Sequence, residues 1–206
     1  MNEADWLTSA DPEAMLTHIM RKVSARKLRL YACACVRRAW PLLTTLGSRQ
    51  VVEKAEAFAD GTIGKKELAA ARAAAPGRGE GRSANWVNKA AVDCAIAGAA
   101  WAVERATMDL CLSSPDAVAE RHEQARILRE IAGNPFQKPA IPDYWPATVT
   151  QLAVSLYSGA DCAFALHDAL LEAGHADVAQ LAEHFREQGQ WHPKGCWALD
   201  LILGKR

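Results

Sequence analysis

"RKLRLYACACVRRAW", residues 26–40, places two cysteines one residue apart inside a run of arginines that ends in tryptophan. As a loop or strand it would turn both thiols to one side and offer a metal clip. As a helix it builds one wall of a core. At about 100° per residue, Leu28, Tyr31, Ala32, Cys35, Val36, Ala39, Leu42 and Leu43 share one broad face, whereas Arg26, Arg29, Cys33 and Arg37 lie away from its centre. Cys33 and Cys35 then project about 160° apart on a helix of about 3.6 residues per turn. Two thiolates on one metal need a common side, so the stretch reads as a core helix with no shared metal.

The same helical pattern continues on both sides. Asp11-Pro12 and Ser114-Pro115 supply a capping side chain followed by a proline without an amide to satisfy, and Ser24, Ser48, Ser83 and Thr148 are further candidate caps. Gly133, Gly174 and Gly189 stand where helices end. The resulting map has helices near 3–9, 12–22, 25–45 with a kink at Pro41, 49–59, 65–75, 85–112, 115–132, 149–158, 161–173, 177–187 and 195–203. No run alternates long enough to read as a strand. The predicted class is all-α, a mostly orthogonal multi-helix bundle.

Two stretches interrupt the helices. "PGRGEGRSA" (76–84) reads as a glycine-rich loop, and "GNPFQKPAIPDYWPA" (133–147), with four prolines, as an extended crossing. The crossing predicts an N-terminal helical subdomain over 1–132 and a C-terminal one over 147–206, joined through 133–146.

Composition narrows the function classes. The chain has 206 residues, half of them hydrophobic, and 24 basic residues balance 24 acidic ones. A chain of this length builds a core without a disulfide or metal, and zero net charge gives no global attraction to nucleic acid or an anionic surface. No apolar run reaches the roughly 18 residues of a membrane span, and the acidic N-terminus has no apolar leader core. The six cysteines are scattered through helical sequence, and most of them read as small buried hydrophobes. These features predict a cytoplasmic protein with no cofactor, no metal and no membrane partner.

Three functional readings remain. Arg21, Lys22, Arg26, Lys27, Arg29, Arg37 and Arg38 put seven positive charges between 21 and 38 with no acid among them. Arg26, Arg29, Arg37 and Arg38 are therefore candidate phosphate contacts for nucleic acid. Acids at 161, 168, 172, 177, 183 and 187 offer an internal alternative, and pairing within the fold is the preferred expectation. In "GQWHPKGCWALDLILGK" (189–205), Cys196 falls at the start of the last helix near His192 and Lys194. That setting suits a reactive thiolate in an enzyme or redox protein, while Trp197 and Leu199 favour simple docking on the core. "DGTIGKKE" (60–67) lacks the glycine and hydroxyl positions of a phosphate loop, and "YSGAD" (157–161) falls short of a nucleophile elbow. With catalytic patterns absent, the leading expectation is a non-enzymatic interaction or adaptor module with an unknown protein partner.

"EADWL", "DPEAML", "RKLRLYACACVRRAW", "GNPF" (133–136) and "HPKGCWALDLILGK" (192–205) together resemble a bacterial family of uncharacterised helical proteins with many paralogues in planctomycetes. The resemblance spans nearly the whole chain and is loosest in its alanine-rich middle. Valine stands at position 36, where that family often has a second cysteine. The resemblance implies a bacterial cytoplasmic helical protein and assigns no ligand or catalytic residue.

Overall fold

The computed structural model describes residues 1–76, 79–137, 142–174 and 178–205. All the regular structure among them is helical, an all-α multi-helix bundle. In chain order the helices are α1 (Glu3–Thr8), α2 (Pro12–Ile19), α3 (Ala25–Arg38), α4 (Leu46–Ala59), α5 (Lys65–Ala74), α6 (Arg82–Asp93), α7 (Ala99–Ser113) and α8 (Ala117–Ala132). Beyond the crossing follow α9 (Ala147–Tyr157), α10 (Ala163–Glu172), α11 (Ala179–Glu183) and α12 (Trp197–Ile202), and a single 3₁₀ turn, Trp40–Leu42, follows α3. No helix among the described residues is long and apolar enough to cross a membrane. Residues 77–78 of the glycine-rich stretch and 138–141 of the crossing lie outside the described residues.

α3 begins on a Ser24 cap, whose side chain accepts from the Lys27 amide, and runs through the middle of the N-terminal core. α4, α6, α7 and α8 all pack against it. Its burial is therefore not confined to one face: Cys33 and Arg29, expected away from the core, are as buried as Cys35. Leu42, expected inside, is exposed, because the helix stops at Arg38 and the turn around Pro41 carries it outward. Trp40 is instead flanked by the Arg37 and Arg49 guanidinium groups, 4.1 and 5.6 Å from its ring.

The continuous helix expected over 85–112 is two helices, broken at 94–98. The buried Arg29 guanidinium donates to the carbonyls of Cys94 and Ala97, which satisfies acceptors that the end of α6 leaves open. The break folds α6 back on α7, with Ala90, Ala91, Ala102 and Ala106 buried in this region. Their short side chains permit close helix approach.

Buried apolar residues form two clusters. One reaches from Trp6 to Ile131 and the other from Val149 to Ile202. Of the seven tryptophans Trp6 is fully buried, and Trp40, Trp145 and Trp197 are partly buried against the two clusters.

Candidate metal centre

The two cores meet where the C-terminal segment crosses the end of α8. Glu130 lies in the last turn of α8, His184 follows α11, His192 sits in the loop before α12, and Cys196 caps the start of α12. Two glycines allow this approach. Gly195 has φ +86°, and a Cβ there would come within 2.9 Å of the Leu30 side chain on α3. Gly133, with φ +69°, ends α8 against the Trp197 ring, where a Cβ would meet Cγ at 3.0 Å. The Trp6 indole donates to the Gly133 carbonyl at 3.0 Å. Lys27 Nζ donates to the carbonyls of Gly195 and Ile131 at 2.7 and 2.9 Å, tying α3 to both edges of the cluster.

The four side chains converge. His184 Nε2 lies 3.0 Å from Glu130 Oε1 and 3.1 Å from Cys196 Sγ, and His192 Nδ1 lies 3.1 Å from the same Oε1. One donor atom from each residue falls within 4.8 Å of all the others. Burial alone would raise the Glu130 carboxyl, but hydrogen bonds from the two imidazoles outweigh it and hold the carboxyl well below the usual carboxylate range. Burial, reinforced by the Glu130 charge, pushes the Cys196 thiol well above its ordinary value, against the opposing pull of the Leu199 and Ala198 amides and of Lys27. The His192 side chain is 0% exposed, and its Nε2 has no hydrogen-bond partner.

This geometry differs from a catalytic relay. A nucleophile–histidine–acid relay uses opposite ring nitrogens, one toward the thiol and one toward the carboxylate. Here a single nitrogen, Nε2 of His184, faces both. It carries either a proton or a lone pair, and cannot act as base to Sγ while donating to Oε1. Convergence of donor atoms on one point is the arrangement of a ligand set. The set of two imidazoles, one thiol and one carboxylate is chemically suited to a divalent transition metal.

The sequence reading joined Cys196 to His192, and the structure brings both into the cluster, but the nitrogen beside the thiol belongs to His184. Lys194, expected near Cys196, points instead toward Glu56, with Nζ 3.7 Å from Oε2, in an open cleft of about 450 Å³. His184 and Glu130 were not singled out. The usable signal for them is weak, because side chains scattered over 130–196 share no spacing motif.

Arg21 and Lys22 are exposed, and the rest of the basic run bonds within the fold. Arg26 bonds Asp200 at 2.6 Å, Asp60 at 3.0 Å and the Tyr157 hydroxyl at 2.9 Å. Arg29 serves the carbonyls at the end of α6. Arg37 makes a bidentate pair with Glu56, 2.8 Å in each arm, and Arg38 pairs with Glu120. Internal pairing was expected, but with acids between 161 and 187. The partners are instead Glu56 and Asp60 at the end of α4, Glu120 on α8 and Asp200 on α12; Asp177 lies outside the described residues.

Comparison with known protein families, with curated proteins and with solved structures finds no match to this chain.

Proposed function

We propose that this chain is a non-enzymatic protein-interaction module of a bacterial cytoplasm, and that α7 carries the contact surface. One observation supports the reading. Trp101, Met108 and Leu112 are 62%, 46% and 42% exposed, and they recur at i, i+7 and i+11 on a helix whose opposite face is core. Large apolar side chains scattered singly over a surface need no explanation, whereas a row along one helix is a packing seam. Arg105 falls in the row between Trp101 and Met108 and Glu104 stands beside it, supplying charges of both signs for register. The occupant that fits is an amphipathic helix of another protein, laid along α7 with its own apolar stripe. The burial of Cys196 and the convergent use of its histidine neighbour favour this reading over thiol chemistry.

Affinity purification with quantitative mass spectrometry, comparing the native chain with Trp101→Glu/Met108→Glu, tests the proposal. The expected result is a partner held in stoichiometric amount by the native chain and lost at least about 100-fold with the variant, as hot-spot aromatic losses predict. The variant's helicity and thermal midpoint should be unchanged. Equal recovery with both chains overturns the assignment of α7.

A further inference from the structure

Independently of any partner, we propose that Glu130, His184, His192 and Cys196 bind one zinc ion as a closed, four-ligand structural centre. The donor set, its arrangement, its charge and its burial each bear on this.

Zinc takes nitrogen, sulfur and carboxylate oxygen in tetrahedral geometry, with bonds of about 2.0–2.3 Å that put ligand atoms about 3.3–3.7 Å apart. The observed contacts of 3.0–3.1 Å and the outer limit of 4.8 Å bracket that range. Side-chain adjustments of up to about 1 Å complete the tetrahedron.

Hydrogen bonding alone does not satisfy the cluster. The single proton or lone pair on Nε2 of His184 must serve both Oε1 and Sγ. Coordination removes this conflict, since each donor atom then directs its own lone pair to the common centre.

Charge also closes. Two neutral imidazoles, a carboxylate and a thiolate carry two negative charges, which one divalent ion cancels, so the buried centre is neutral. On binding, the Cys196 S–H bond breaks, its proton passes to solvent, and a Zn–S bond forms with no change of oxidation state. Thiolate and imidazole favour zinc over magnesium or calcium, which prefer oxygen donors. Four protein ligands leave no open position for substrate, so the ion acts by fastening the 184–196 segment to α8.

The test uses the full chain and zinc itself. Elemental analysis should find one zinc per chain, and titration against a chromophoric chelator should give a dissociation constant far below micromolar. Cys196→Ser and His184→Gln should each weaken binding by more than about 100-fold, beyond the loss typical of outer-shell partners. Cys162→Ser, away from the cluster, should not change it. Should the ligand variants fail to fold, cobalt substitution of the native chain decides. A thiolate-to-cobalt charge-transfer band with intense tetrahedral visible absorption supports the centre. Its absence, substoichiometric zinc with only weak titration, or full binding retained by Cys196→Ser overturns it.

Discussion

Gly195 shows how much one backbone position controls. Its φ of +86° and the 2.9 Å approach to Leu30 make two separate demands, a left-handed conformation and the absence of a Cβ. Alanine meets neither, so Gly195→Ala should destabilise the protein by about 2–4 kcal/mol through backbone strain and a clash within the core. Urea unfolding monitored by circular dichroism measures this, and a loss below about 1 kcal/mol would show that the segment shifts without cost. The sequence made the residue visible as a turn into the last helix but gave no sign of Leu30 as the neighbour. The same limit applies to the cluster beside it. Cys196 and His192 stand four residues apart and were legible together, whereas Glu130 and His184 reach the same point only through the packing of α8 against the C-terminal segment. Helical periodicity assigns a residue to a face and carries no information on which distant element covers that face.

At the level of elements, helix type was legible nearly everywhere and helix ends were less so. Asp11 with Pro12, and Ser24, cap α2 and α3 as their side chains predict, because those bonds are local. Ser114-Pro115 does not cap α8. Asp116 takes that role, its carboxylate accepting from the amides of Val118 and Ala119, while Ser114 Oγ accepts from the Asp116 amide. The break between α6 and α7 was illegible for a different reason. Nothing in "CAIAGA" (94–99) forbids a helix as firmly as proline does, and the carbonyls freed at the break find their donor on α3. Arg29 is thus a cap supplied by another element, and a cation at a helix C-terminus also suits the helix dipole. Arg29→Met keeps the side chain's length and removes its donors, leaving at least the buried Cys94 carbonyl without a strong partner. The expected cost is about 2–4 kcal/mol, with amide exchange accelerated first at 94–98. Unchanged protection there would mean that water or a shifted backbone replaces the guanidinium.

For the whole molecule, four stretches far apart in sequence come together. Trp6 of "EADWL" donates to Gly133 of "GNPF", Gly133 packs on Trp197 of "HPKGCWALDLILGK", and Lys27 of "RKLRL" holds the carbonyl of Gly195. Together with Arg26, Asp60, Tyr157 and Asp200 they form the seam between the two apolar clusters. Lys27 is central to it, because its ammonium group also pairs with Asp200 at 2.7 Å while reaching the carbonyls of Ile131 and Gly195. Removing one member of a buried ion pair usually leaves its partner uncompensated, but Arg26 still faces Asp200 at 2.6 Å. The charge is therefore not orphaned, and the main loss in Lys27→Met falls on the two carbonyls. The expected cost is about 2 kcal/mol, expressed locally as detachment of the C-terminal segment before unfolding of the N-terminal core. Hydrogen exchange by mass spectrometry should show 192–202 losing protection at least about 10-fold more than α6 and α7. A uniform loss across both clusters would instead make the seam part of one cooperative unit, with Lys27 contributing to global stability and not to docking.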